Sequence, residues 1–388
     1  MFIRQLTKQL QQAVSSFYAV CLAGPRQSGK TTLLKKLFPK HSYVNLESPD
    51  NLAMITADPR GFFADSNKLW IIDEAQEYPK LFSYLLDLID SNKVKGQFIL
   101  SGSKNFILLE KISQSLAGRI AVLELLPLTY RELLSDNSVN TNNVWQYIYQ
   151  GSYPGPYHLQ QDINLWYKSY IATYLQRDVR QLIKIKDLTK FHLFLKLCAA
   201  RHGHMVNLSD ISSSCGVSHT TIGEWLNLLE LSYIIFRLPP YFNNFNKRLV
   251  KTPKLYFYDP GLVCHLLGIE SAEHAKIHAS RGALFEGCVI SEVIKNNINN
   301  AKSSNCYFWH HNKGFEIDLL ITNANKVKAV EIKSSATFNT DFTKQPKKWL
   351  DLTQGQLDSE LYVTYSGDDS FSHKNIKVIS WREIDSLS

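Results

Sequence analysis

Two glycines, a lysine and a threonine set the first chemical question: Gly24-Pro25-Arg26-Gln27-Ser28-Gly29-Lys30-Thr31-Thr32 has the spacing G-x-x-x-x-G-K-T. Such a loop wraps phosphate oxygens in backbone N–H groups, brings a lysine ammonium to the terminal phosphates and offers a hydroxyl to Mg²⁺. A second pair of chemical groups follows about forty residues on, where the apolar run Leu69-Trp70-Ile71-Ile72 ends in Asp73-Glu74. At the carboxyl tip of a buried strand, Asp73 would hold Mg²⁺ directly or through water. Glu74 would orient and activate an attacking water. The two sites together imply binding of a nucleotide with Mg²⁺, and Lys30 and Glu74 are the candidate catalytic groups.

The elements around these residues suit that chemistry. Residues 16–24 read as a buried strand running into the loop, and 30–38 open a helix with Leu33, Leu34 and Leu37 on one face. The helix N-terminus then points at the anion. A second strand is expected over 41–48, the acidic strand over 68–76, a helix over 80–90 and a further buried strand over 96–106. Ser101 and Ser103 end that strand, either reaching the site or capping a helix over 105–116. Residues 117–134 give a fifth strand and a helix after Pro127. Strand and helix alternate throughout, which predicts a parallel sheet covered on both faces.

After residue 135 the pattern changes. Residues 136–186 read as a small helical lid, with an aromatic stripe that serves as core or as a base-stacking surface. From 187 a short helix, a turn at Gly216 and a longer helix capped by Ser218 predict a helix-turn-helix. Two strand-like runs over 233–259 flank a basic loop with Lys247, Arg248, Lys251 and Lys254, the outline of a winged helix. On a DNA-binding reading Ser218, His219, Thr220 and Thr221 face the major groove and the basic loop meets phosphates. The same module also serves as a protein-docking unit.

In the last third, 281–297 reads as an amphipathic helix, and 307–321 and 326–335 as strands joined by a turn in Thr322-Asn323-Ala324-Asn325. Pairing about residues 324 and 325 would set Asp318 opposite Glu331, with Lys333 on the same face by period-two alternation. Two acids and a lysine on one face are costly to bury without a metal.

Composition sets limits on the rest. The chain has 388 residues, 44% hydrophobic and 20% charged, room for two or three domains. No stretch approaches a membrane span, and the polar start of the chain predicts no signal peptide. Six cysteines without a C-x-x-C pair suggest neither zinc nor a disulfide framework, and fit a reducing, cytoplasmic setting. The net charge of +8 lies in the first two thirds, and residues 271–388 are neutral. The excess invites an anionic partner such as DNA, or is a solvated surface.

The loop GPRQSGKTT, the strands LWIIDEAQ and FILSGS and the segment SLAGRIAVLELLPLTYREL resemble ATPases of the AAA+ superfamily, in a prokaryotic branch with a helix-turn-helix region and a nuclease-like C-terminal domain. The resemblance implies an α/β fold in four parts: a P-loop NTPase parallel sheet domain (1–135), a helical lid (136–186), a winged helix (187–268) and a restriction-endonuclease-like α/β domain (269–388). It further implies Arg119 as a catalytic arginine acting in cis or in trans within a homo-oligomer, with Arg177 second, although either could make a structural ion pair. It maps Glu286, Asp318, Glu331 and Lys333 onto a nuclease-type metal site. Ile317 stands where that family usually has proline. The partners implied are ATP, DNA and a protein partner, with no membrane.

Overall fold

The computed structural model describes residues 2–103, 116–136, 143–175, 187–241, 252–303, 305–311, 315–353 and 357–388. Its first sheet has five parallel strands, β1 (Ala19–Ala23), β2 (Ser42–Asn45), β3 (Trp70–Asp73), β4 (Phe98–Gly102) and β5 (Ile120–Glu124), in the order β2-β3-β4-β1-β5. Every residue of β1, β3 and β4 is buried, as expected of strands covered on both faces. The Thr7–Ser16 and Lys30–Leu37 helices close one face through Leu6, Leu10, Leu33 and Leu34. Phe63, Phe82, Leu85 and Ile89 close the other. Because β4 lies between β1 and β3, its tip stands between the phosphate loop and the acidic pair. The expected helix over 105–116 lies almost wholly outside the described residues.

Among the described residues, the middle of the chain is helical up to Leu231, then forms the short antiparallel pair β6 (Ile235–Leu238) and β7 (Lys254–Phe257). Trp166, Tyr167 and Tyr170 are buried and Trp166 stacks on Tyr170, so the aromatic stripe is core. Asn207 caps the Leu208–Cys215 helix, Gly216 ends it at φ 61°, and Ser218 caps the His219–Leu231 helix by accepting from Thr221 N at 3.1 Å.

The C-terminal region is a six-stranded mixed sheet of β8 (Cys306–His311), β9 (Phe315–Asn323), β10 (Lys326–Lys333), β11 (Asp358–Tyr365), β12 (Phe371–His373) and β13 (Ile376–Ser380), in the order β12-β13-β11-β10-β9-β8. Two expectations are corrected here. The single strand read over 307–321 is two, since β8 and β9 pair antiparallel, with Tyr307 opposite Leu320. The helix read as amphipathic, Arg281–Asn299, is buried on every side from Gly287 to Asn297. It is enclosed because one continuous apolar core joins the edge of the first sheet, the middle helices and this helix, from Ala23 through Trp225 and Val289 to Leu387.

Candidate functional site

The phosphate loop follows β1 and ends at the helix Lys30–Leu37, with Gly29 as its N-cap at φ 93°. Gly24 has φ 151°, and a Cβ there would stand 2.3 Å from the Leu125 carbonyl oxygen. The glycine therefore lets the loop cross β5 closely. Lys30 Nζ donates to the carbonyls of Gly24 and Pro25 at 2.9 and 2.8 Å. Burial pulls its pKa down to about 8, against the opposing pull of Glu74 and Asp73. The Ser28 hydroxyl is buried with no hydrogen-bond partner among the described residues. Arg26, Gln27, Ser28, Gly29, Lys30, Thr31 and Thr32 all line a cavity of about 650 Å³.

Asp73 is the meeting point of three elements. Its Oδ2 accepts from Thr31 Oγ1 at 2.6 Å and from Tyr43 OH at 2.9 Å, and its Oδ1 accepts from Ser101 Oγ. Glu74 sits one residue on in the left-handed region, φ 53°, an uncommon conformation for a side-chain-bearing residue. That turn aims its carboxylate into the cavity, where Gln76 Nε2 donates to it and Ser103 Oγ does so at 3.3 Å. The serines thus point to the acidic pair. Sequence reading missed Tyr43, whose position on β2 carries no motif.

Arg119 is placed differently from its expected role within one chain. It precedes β5 at the amino end of the sheet, where its backbone carbonyl accepts from Ala19 N, and its guanidinium pairs with Asp90 at 2.7 Å in solvent. Five residues of strand, roughly 16 Å, separate that end from the phosphate loop. Arg177 lies outside the described residues. The arginines lining the cavity are Arg26, paired with Glu47 at 2.8 Å, and Arg4. Arg4, which no sequence signal marked, donates to Ser28 O at 2.7 Å and Leu126 O at 2.6 Å, and its Nε lies 3.1 Å from Glu132. The far wall comes from the middle helices through Pro154, His158, Trp166 and Tyr170.

A second cluster lies in the C-terminal region. The β9–β10 register, Val330 opposite Leu319 and Lys326 opposite Asn323, sets Asp318 opposite Glu331. Asp318 Oδ2 accepts from Ile332 N at 2.7 Å and lies 4.0 Å from Lys333 Nζ, which is 2.5 Å from Glu331 Oε1. Glu286 joins them from the long helix, and Glu286, Glu316 and Asp318 offer oxygens within 4.8 Å of one another. Glu316 was not foreseen, though period-two spacing from Asp318 was the available signal. Burial, with Asp318 nearby, pushes Glu286 up to about 7 and Glu331 up to about 8. Lys254, expected on a solvent-facing basic loop, is instead buried: its Nζ lies 3.0 Å from Glu286 Oε1 and also pairs with Glu316. The strand pairing of β7 turns it inward. Lys247, Arg248 and Lys251 lie outside the described residues.

On the pair of helices Leu208–Cys215 and His219–Leu231, His219 and Thr220 are exposed at the start of the second helix, while Ile222, Trp225, Leu226 and Leu229 face the core.

The family model for an AAA domain matches residues 16–134, and two domains of unknown function, DUF8612 and DUF4143, match 141–273 and 281–384. Residues 16–134 are thus a P-loop ATPase domain. Uncharacterized protein Rv2008c of Mycobacterium tuberculosis and Mb2031c of Mycobacterium bovis are each 31% identical over 340 residues, 86% of this chain and 74% of the relative. Uncharacterized protein MJ1544 of Methanocaldococcus jannaschii is 23% identical over 337 residues, 78% of this chain and 72% of its own. Among solved structures, the Walker-type ATPase PABY2304 of Pyrococcus abyssi aligns with TM-score 0.46 at 13% identity, covering 69% of this chain and 96% of that one. The Holliday junction branch migration motor RuvB of Thermotoga maritima aligns with TM-score 0.28 at 18% identity, covering 60% and 89%. Among the described residues no helix is long and apolar enough to cross a membrane.

Proposed function

We propose, for a chain that belongs to the family of the mycobacterial proteins Rv2008c and Mb2031c and carries an AAA-type P-loop ATPase domain, a Mg²⁺-dependent ATPase that positions a helix-turn-helix and a nuclease-type module on DNA. The observation that carries the reading is the Thr31–Asp73 hydrogen bond of 2.6 Å beside Lys30 and Glu74, on one rim of the 650 Å³ cavity. The groups suit a nucleoside triphosphate: a glycine cradle, a helix N-terminus, a buried lysine and the unpartnered Ser28 hydroxyl. Thr31 and Asp73 would hold Mg²⁺, which when bound neutralises phosphate charge. Lys30 would neutralise the terminal phosphates and Glu74 would hold the attacking water.

The DNA part rests on the exposed start of the His219–Leu231 helix and on the basic excess of the first two thirds of the chain. The nuclease part rests on Glu286, Asp318, Glu331 and Lys333 converging on one face. Steady-state ATP hydrolysis, alone and with single- or double-stranded DNA, tests the reading. Stimulation by DNA that is lost in Lys30→Ala supports it, and turnover indifferent to DNA removes the DNA-positioning claim.

A second reading, a nucleotide-dependent switch that docks a protein partner with no DNA cleavage, is favoured by one observation. The C-terminal carboxylates are already ion-paired internally by Lys254 and Lys333. Mg²⁺- or Mn²⁺-dependent cleavage of DNA that requires Glu331 and Lys333 would decide against it.

A further inference from the structure

The C-terminal carboxylate site contains a cation of the protein's own. Glu286, Glu316 and Asp318 bring their oxygens within 4.8 Å of one another, and Glu331 stands beside them. Lys333, on the same strand as Glu331, attends to Glu331 at 2.5 Å and stays 4.0 Å from Asp318. Two of the three clustered acids, Glu286 and Glu316, are instead served by Lys254, which comes from a different part of the chain. It is the first residue of β7, paired with Leu238 of β6, and only 5% exposed. Its ammonium lies 3.0 Å from Glu286 Oε1 and contacts Glu316 Oε1.

We infer that the Lys254 ammonium occupies the position a divalent cation would take among Glu286, Glu316 and Asp318, so that metal enters only as Lys254 withdraws. The inference rests on the reading of these carboxylates as a metal site. An ammonium donates to one oxygen per N–H, whereas a hard divalent cation gathers oxygens around itself at 2.0–2.6 Å. The two cannot share one small space between the same oxygens. The ammonium also leaves Glu331 Oε2 buried with no hydrogen-bond partner among the described residues. That orphaned oxygen is a lone-pair donor the lysine leaves unused, and a divalent cation in its place would satisfy it.

The contact links the site to the helix-turn-helix region. Beyond β6, Pro239 O accepts from Phe308 N at 3.1 Å and Tyr241 N donates to Phe308 O at 2.7 Å, so the β6–β7 pair is also docked on β8. Metal loading and seating of this strand pair are then mutually exclusive, and by linkage whatever unseats β7 tightens metal binding to the same degree. A ligand on the helix-turn-helix region could license the C-terminal site in this way.

The test is Mn²⁺ binding to the full chain without nucleotide, followed by electron paramagnetic resonance. Lys254→Met should bind Mn²⁺ at least tenfold more tightly than the unaltered chain, and adding Asp318→Asn should abolish that gain. Equal affinities that still depend on Asp318 would keep the metal site and overturn the role of Lys254. Absence of Asp318-dependent Mn²⁺ binding from both proteins would overturn the metal site itself and the inference with it. Should Lys254→Met fail to fold, the unaltered chain still decides: acylation of Lys254, read by mass spectrometry against exposed Lys326, should rise several-fold with Mn²⁺. Unchanged protection of Lys254 at saturating Mn²⁺ would overturn the inference.

Discussion

The Thr31 hydroxyl donates to the Asp73 carboxylate at 2.6 Å, joining the first turn of the helix after the phosphate loop to the tip of β3. The two candidate Mg²⁺ ligands are therefore assembled by the sheet itself. Ser101 from β4 and Tyr43 from β2 hold the same carboxylate, so its orientation is set from both sides. Preorganised groups of this kind lower the cost of binding, since little remains to be ordered.

Glu74→Gln should leave ATP affinity within about threefold and lower kcat by about 10²-fold or more, the range of general-base effects. The amide keeps the shape and loses the charge that orients water. Equilibrium binding of a fluorescent ATP analogue beside steady-state turnover checks both halves. Normal turnover would move the water-handling role elsewhere.

Arg119 stands at the amino end of β5, a strand's length from its own phosphate loop, so a catalytic role for it would require the cleft of another copy. Arg119→Ala should slow turnover at least tenfold, about 1.4 kcal/mol of transition-state stabilisation, only under conditions where the protein self-associates. Mixing it with Lys30→Ala protein should restore activity, each chain supplying what the other lacks. A failure of rescue would reduce Arg119 to its exposed ion pair with Asp90.

Arg4→Ala should destabilise the protein by about 3–5 kcal/mol, because it strands the fully buried Glu132 carboxylate and frees two carbonyls, Ser28 O and Leu126 O. Glu132 also closes a capping box with Thr129, so part of its charge stays satisfied and the lower end of that range is expected. Urea unfolding followed by tryptophan fluorescence measures the change. A loss below 1 kcal/mol would show that the brace is dispensable.

His202 should make the protein acid-sensitive. Burial, with His204 adding to it, pushes its pKa down to about 3, and its Nδ1 accepts from Phe257 N at 3.2 Å. In the unfolded chain it takes up a proton near pH 6.5, so its contribution to stability is complete above that pH. The contribution is lost as pH falls toward 3, at about 1.4 kcal/mol per unit. His202→Gln should flatten the fall in urea midpoint between pH 6.5 and 4 relative to the unaltered chain. Parallel curves would assign the acid sensitivity to other groups.

Much of the ATPase site was legible because its chemistry is local. The G-x-x-x-x-G-K-T spacing requires glycine where φ is positive or the backbone passes closely, as at Gly24 and Gly29, and a short, wholly apolar run before Asp73 fits a buried strand. The hairpin about residues 324 and 325 was legible too, since a turn and period-two alternation together set Asp318 opposite Glu331. What sequence could not carry was every relation that depends on which elements touch. Strand order puts β4 between β1 and β3 and so turns Ser101 and Ser103 onto the acids, and it leaves Arg119 at the far end of β5. The shared core encloses a helix whose pattern looked half-exposed, and the pairing of β7 with β6 beside the long helix turns Lys254 from a basic surface residue into the counter-ion of a partly buried carboxylate cluster. Local spacing specifies backbone conformation and the type of chemistry available. Partner identity between residues far apart in the sequence is decided only by packing, because it minimises exposed apolar area over the whole chain at once.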